Sequence, residues 1–205
     1  MSNGTTPAAA PVPGGPKLWL LRHGETEWSR SGQYTGLTDL PLTEEGEAQA
    51  RSAHQALSGV ELDLVLTSPL QRARRTATLA GFPDAQLEPN AVEWDYGDYE
   101  GIDSAVVRAQ NPGYLIWDNG VPNGETLEQV AARADRIVER VRAVKRDDGA
   151  PANVLLVAHG HFLRILTARW LGLPAGQGRH FMLGTAKVCT LGWDKKTPAV
   201  EQWGL

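Results

Sequence analysis

The sequence predicts an α/β domain, a three-layer sandwich with helices on both faces of a mostly parallel central sheet. Two observations predict it. Short apolar runs at residues 17–21, 63–67 and 153–158 alternate with segments whose apolar residues recur at helical spacing. Each run also passes abruptly into polar or charged residues: Arg22-His23, Ser68 and His159. Strands that alternate with helices build a parallel sheet, and such sheets bind ligands outside the carboxyl ends of their strands. The three runs therefore deliver chemistry to one edge.

Taken in order, residues 17–21 read as a buried strand and residues 22–39 as a loop rich in Gly, Ser and Thr. An irregular stretch of that length in a compact domain usually serves function. Thr43 is placed to cap a helix that runs to about Leu57, with Glu44 and Glu45 in its first turn and Gly46 weakening it. Residues 63–67 form the second strand. Ser68-Pro69 then reads as N-cap and first position of a helix carrying Leu70, Ala73, Ala77 and Ala80. Arg72 falls in that first turn, where a cation opposes the helix dipole at a cost of ~0.3–1 kcal/mol. That placement suits a site that binds an anion. Arg74 and Arg75 read as a solvated face.

Residues 92–101 alternate the carboxylates Glu93, Asp95, Asp98 and Glu100 with aromatics and glycines. A carboxyl among aromatic rings suits a general acid; Glu93 is singled out, and Asp95, Asp98 and Glu100 are read as surface acids. A short helix is expected over 104–110, then a loop over 111–123 carrying Tyr114 and Trp117. Thr126 to Gln129 makes a capping box. It opens the clearest amphipathic helix of the chain, which ends before Asp147 and whose apolar stripe is core. After the third strand at 153–158 comes a helix over about 162–171. A closing hairpin pairs 188–193 with 199–203 around a turn at 194–198.

Composition sets the outer bounds. With 205 residues, 41% hydrophobic and 21% charged, the chain suits one globular domain with an ordinary core. A net charge of −4 argues against a general nucleic-acid binder, so any anion site must rest on local arginines. Cys189 is the single cysteine, which excludes an intramolecular disulfide and a cysteine metal cluster; its neighbours Val188 and Thr190 suggest a buried, inert thiol. No stretch approaches the ~20 apolar residues of a membrane span. Residues 1–16 are rich in Pro, Gly, Ala and Thr without a signal pattern. They read as a disordered tail before a domain at 17–205, and a cytoplasmic location is the expectation.

The chemistry centres on His23. A neutral imidazole attacks phosphorus near neutral pH, provided its other nitrogen donates to a fixed acceptor. Arg22 offers a planar fork for phosphate oxygens, and Gly24 removes a side chain where the backbone turns and a ligand closes in. His159-Gly160-His161 alternates two imidazoles but lacks the further ligands of a metal site, so no metal and no cofactor are expected.

Four segments, Leu21-Arg22-His23-Gly24-Glu25-Thr26, Ser68-Pro69-Leu70-Gln71-Arg72-Ala73, Glu93-Trp94-Asp95-Tyr96-Gly97 and Ala158-His159-Gly160, occur in this order. In them the chain resembles the histidine phosphatases, the phosphoglycerate mutase-like superfamily. The resemblance implies that His23 is phosphorylated, that Arg22, Arg72 and His159 hold the phosphoryl group, and that Glu93 is the proton donor. Mutases of that superfamily carry Asn where this chain has Ser29 and His161. They also carry a long basic insertion where residues 98–125 are short and hold one cation, Arg108. These departures favour a phosphatase. The stretches 28–39 and 93–101 resemble sedoheptulose-1,7-bisphosphatases and bacterial acid phosphatases, which implies a sugar phosphate substrate. Ser29, Thr35, Gly36 and His161 are the candidate substrate contacts, with Tyr96, Tyr99 and Trp117 as lid residues. Mutase-type phosphoryl transfer and a non-catalytic phosphate-binding module stay open as alternatives. The expected partner is a small-molecule phosphate ester; a homodimer is compatible with the sequence.

Overall fold

The computed structural model describes residues 14–205. Its strands are β1 (Lys17–Arg22), β2 (Leu64–Thr67), β3 (Gln86–Leu87), β4 (Asn153–Ala158), β5 (Val188–Asp194) and β6 (Thr197–Trp203). They form one sheet in the order β3-β2-β4-β1-β5-β6. The pairs from β3 to β1 are parallel, and β1-β5 and β5-β6 are antiparallel. The helices are α1 (Glu27–Ser31), α2 (Glu44–Leu57), α3 (Gln71–Leu79), α4 (Ser104–Gln110), α5 (Ile116–Asn119), α6 (Leu127–Arg142) and α7 (Gly160–Trp170).

The pleat sends alternate side chains to opposite faces. Leu21, Leu155 and Val157 meet Ala53 and Leu57 of α2 and Ala73 and Ala77 of α3. Leu18, Leu20 and Leu156 meet Ile137 of α6 and Phe162 and Leu166 of α7. This is the three-layer sandwich read from the sequence. Register then sets the site. Arg22 pairs with Ala158 and Thr67 with Val157, so β4 ends between β2 and β1. The residues that follow these strand ends, His23, Ser68 and His159, emerge side by side.

Several boundaries differ from the sequence expectation. The 22–39 loop contains α1, capped by a Thr26–Ser29 box with serine at the third position, where glutamate or glutamine is the usual signature. Ser68 does not cap α3, which begins at Gln71; the Gln71 amide is capped from another loop by Asp39 Oδ1 at 2.8 Å. The 111–123 loop contains α5. α6 ends at Arg142, although Val144 still packs on the core. α7 begins at Gly160, with His159 as its N-cap residue. The closing turn shrinks to Lys195-Lys196, because Asp194 pairs with Thr197 and Trp193 with Pro198. Pro198 is tolerated there because β6 is an edge strand. Residues 1–13 of the expected tail lie outside the described residues. Pro16, assigned to the tail, accepts a hydrogen bond from Trp193 Nε1 at 3.0 Å.

Two glycines have a role the sequence did not show. A Cβ at Gly24 would meet the Gly46 carbonyl oxygen at 2.2 Å, and a Cβ at Gly46 would meet the Glu25 oxygen at 2.1 Å. Gly24 is thus required by backbone-to-backbone packing between the β1 loop and α2, rather than by a ligand. In an open helix Gly→Ala gains up to about 1 kcal/mol. Here overpacking against backbone reverses the sign, and Gly46→Ala is expected to lower unfolding free energy by about 1–3 kcal/mol. Urea unfolding of wild type and variant checks this; a more stable variant would contradict the contact.

Candidate active site

His23 follows β1 and its backbone stays tied to the sheet. Its amide donates to the Ala158 carbonyl at 2.9 Å and its carbonyl accepts from the Ala186 amide at 3.1 Å. The side chain is 4% exposed. Nδ1 lies 2.7 Å from the Gly24 carbonyl oxygen, an acceptor only, so Nδ1 carries the proton and Nε2 the lone pair. Burial pushes the His23 pKa well below its ordinary value, and the charges of Arg72 and Arg22 push it further down. The imidazole is therefore neutral at neutral pH.

Arg22 extends across Gly160, where a Cβ would lie 3.2 Å from its Cζ and 3.3 Å from its Nε. Nη1 donates to the Leu183 carbonyl at 2.6 Å, while the buried Nε has no hydrogen-bond partner. Arg72 is fully buried. Its Nη groups donate to the carbonyls of Thr38 at 2.9 Å and Gly36 at 2.7 Å, with a longer contact to Thr35. Its Nε donates to His159 Nδ1 at 3.2 Å. His159 Nε2 then bears the proton and faces Ser68 Oγ at 2.8 Å. The His23 and His159 rings are 5.1 Å apart. Burial, with Arg72 next in size, also holds the His159 pKa well below the ordinary range.

Glu93 sits at the amino end of α7. Oε1 accepts from the amides of Trp94 at 2.9 Å and Phe162 at 2.8 Å, and Oε2 from the amide of His161 at 3.0 Å. These three amides fix the position of the carboxyl group of Glu93. Its backbone is clamped by Arg133 of α6, which donates to the carbonyls of Asn90, Val92 and Glu93 at 2.6, 3.0 and 3.3 Å. Arg133 also pairs with Glu125 through two bonds at 2.8 and 2.7 Å, and lies 5.0 Å above the Phe162 ring. Sequence reading missed Arg133, since nothing in an amphipathic helix marks one arginine as the clamp on a distant stretch of backbone. Glu100 is corrected too: it is no free surface acid, but accepts from the amides of Gly36 and Thr38 at 2.9 and 3.1 Å.

A cavity of about 420 Å³ opens beside these groups, a size suited to small molecules. Arg22, His23, Ser29, Thr35, Glu93 and His161 all line it. Arg72 and His159 are outside the lining, with the His159 ring 5.1 Å from that of His23. Gly36 is also outside it, its amide taken by Glu100 and its carbonyl by Arg72. His161 Nδ1 is 2.6 Å from the Tyr96 hydroxyl. Burial raises the Tyr96 pKa well above its usual value and lowers that of His161 to about 3. Tyr96 is thus the donor, and His161 is neutral with its Nε2 proton free for a ligand. Of the expected lid residues, Tyr96 and Trp117 line the cavity and Tyr99 does not. Arg164 and Arg108 line it as well and carried no assignment from the sequence. Cys189 is buried, and burial raises its thiol pKa to about 11, as an inert thiol requires.

The family model of the histidine phosphatase superfamily (branch 1) matches residues 18–205. The chain belongs to that superfamily. This chain is a phosphatase acting on a phosphate ester. An acid phosphatase of Mycobacterium tuberculosis is 41% identical over 191 residues, covering 92% of each chain. A sedoheptulose 1,7-bisphosphatase of Saccharomyces cerevisiae is 38% identical over 77% of this chain and 68% of its own. Among solved structures, a mycobacterial glucosyl-3-phosphoglycerate phosphatase in complex with a vanadate superposes with a TM-score of 0.82. It is 28% identical, over 93% of this chain and 99% of its own.

The histidine phosphatase site makes stability depend on pH. His23, His159 and His161 all have folded pKa values below the ordinary one. The unfolded chain takes up these protons near pH ~6.5. The unfolded state therefore binds more protons below that pH, and stability falls as pH drops. The contribution is fully present above pH ~6.5 and is lost toward the depressed folded values. Thermal unfolding measured from pH 7.5 downward is expected to show a falling midpoint, with a shallower slope in His161→Gln. An equal slope in both proteins would contradict a neutral, half-buried His161.

Proposed function

We propose that the chain hydrolyses a small phosphate monoester, with sugar phosphates as the substrate class, through a phosphohistidine on His23. One observation carries this reading. An oriented, neutral His23 lies beside an arginine whose buried Nε has no partner. An unsatisfied buried donor costs about 1–3 kcal/mol, and a phosphoryl oxygen removes that cost.

In the first half-reaction His23 Nε2 attacks phosphorus in line, forming the N–P bond as the ester P–O bond breaks. Arg22 and Arg72 stabilise the equatorial oxygens, and His159 joins them by turning its Nε2–H from Ser68 Oγ to a phosphoryl oxygen while its Nδ1 keeps the Arg72 bond. Arg72 has five N–H groups, of which the contacts above use four, leaving one on Nη1 for the phosphoryl group. Glu93 gives its proton to the leaving alkoxide. Oε1 accepts two amides and Oε2 one, so Oε2 is the oxygen with room for that proton. In the second half-reaction the ionised Glu93 takes a proton from water, which attacks the phosphohistidine and releases phosphate. Fixed guanidinium groups supply the charge stabilisation, so no metal is needed. Among the described residues no three metal-ligating side chains cluster and no helix is long and apolar enough to cross a membrane. The sugar phosphate class is supported by the names of the yeast and mycobacterial relatives. A cytoplasmic location belongs to the same reading.

Kinetics with p-nitrophenyl phosphate and with a sugar phosphate test it. His23→Ala is expected to lose turnover with both. Glu93→Gln is expected to lower kcat/KM for the sugar ester ~10²–10⁴-fold, and less for the aryl ester, whose leaving group needs no proton. A chelator is expected to change neither rate. Undiminished turnover in His23→Ala would sink the proposal.

A further inference from the structure

The cavity carries more positive charge than one phosphate ester requires. Arg22, Arg108 and Arg164 line it as cations, and Glu93 is its one carboxylate among the described residues. The histidines that line it, His23 and His161, are neutral. The two charges of Arg22 and Arg72 already match a phosphoryl dianion. Neither Arg164 nor Arg108 takes part in an ion pair among the described residues.

Arg164 is held as a binding group is held. Its Nε and Nη2 donate to the carbonyls of Gly178 at 3.2 Å and Arg179 at 3.0 Å, and its Cζ lies 4.7 Å above the Trp117 ring. Gly178 makes room for this stack, since a Cβ there would lie 3.0 Å from Trp117. Nη1 is engaged by none of these contacts. Burial lowers the Arg164 pKa and the charge of Glu93 offsets this only in part, so the guanidinium is partly desolvated with no carboxylate in direct contact. A guanidinium kept in that state is costly unless a ligand anion meets it. Arg164 lies one helical turn from His161 on α7, so the two project on the same side of that helix. His161 directs a neutral Nε2–H into the same cavity. Arg108, exposed on α4, adds a second cation to its lining.

We infer that the substrate carries a second anionic group, a phosphate or a carboxylate, that docks on Arg164 with Arg108 as a further cation in the same cavity. This rests on the phosphatase reading above and narrows its substrate class to small dianionic or polyanionic esters. Arg164 and Arg108 touch the leaving-group portion of the substrate and take no part in phosphoryl transfer.

The test compares kcat/KM for three esters: a sugar bisphosphate, a phosphorylated hydroxy acid, and the monophosphate of a neutral sugar. p-Nitrophenyl phosphate serves as the control for the parent reading. In wild type at least one of the first two is expected to exceed the neutral monophosphate tenfold or more. Which one does so separates a phosphate from a carboxylate. Arg164→Gln is expected to reduce that preference ratio about tenfold, and Arg108→Gln to reduce it by a smaller factor. Arg108 is exposed, so its variant keeps the test alive if Arg164→Gln does not fold. A wild-type ratio near one, with p-nitrophenyl phosphate still turned over, would overturn the inference and leave the phosphatase reading standing. A high ratio unchanged in both variants would overturn the assignment to these arginines. Absence of turnover on all four esters would overturn both readings together.

Discussion

The hydrogen bond from His23 Nδ1 to the Gly24 carbonyl governs the rest of the site. It fixes the tautomer, and the tautomer decides which nitrogen holds the lone pair. The carbonyl is in turn fixed by close backbone packing. Gly24 presses on Gly46 of α2, and the Gly24 amide donates to Thr76 Oγ1 of α3 at 3.0 Å. Sheet register places His23 and His159 on adjacent strand ends. A shift in α2 or α3 would reach the nucleophile through these contacts before it reached the cavity.

The same positive charge has two effects on this site. Added to the larger effect of burial, the guanidinium groups of Arg72 and Arg22 lower the pKa of His23 and help keep it a nucleophile. They also stabilise negative charge on a phosphoryl group bound to it. Arg72 links these effects to the fold. Its fork holds the carbonyls of Gly36 and Thr38 and its Nε orients His159, so loop and ring are set by one side chain. Burying Arg72 beside two neutral imidazoles is unfavourable in isolation, and such a penalty is typical of a site built for an anion. Arg133 does for Glu93 what Arg72 does for His159, from the opposite face of the sheet.

The architecture was legible because three of the parallel strands, β1, β2 and β4, announced themselves by an apolar run ending in chemistry. Arg22-His23, Ser68 and His159 were placed together by the sheet rule alone, and the structure puts them on neighbouring strand ends. Less was legible where contacts cross between segments far apart in sequence. Asp39 capping α3, Glu100 holding the Gly36 amide, and Arg133 clamping Glu93 each join residues about 30 to 64 positions apart, and no local pattern encodes them. Gly46 read as a flaw in a helix because its packing partner, Glu25, lies outside that helix. Gly36 read as a candidate substrate contact because residues 28–39 resemble those of sugar bisphosphatases; in the fold its amide and carbonyl serve Glu100 and Arg72. β3 and α5 were too short for periodicity to register.

The most direct test of the account is the position of the phosphoryl group on the enzyme. Rapid quenching during turnover, followed by alkaline digestion and mass spectrometry of the His23 peptide, reads it. The geometry predicts phosphohistidine on Nε2 of His23, since Nδ1 is bound to the Gly24 carbonyl. Phosphate found on Nδ1, on His159 or on any other side chain would contradict it.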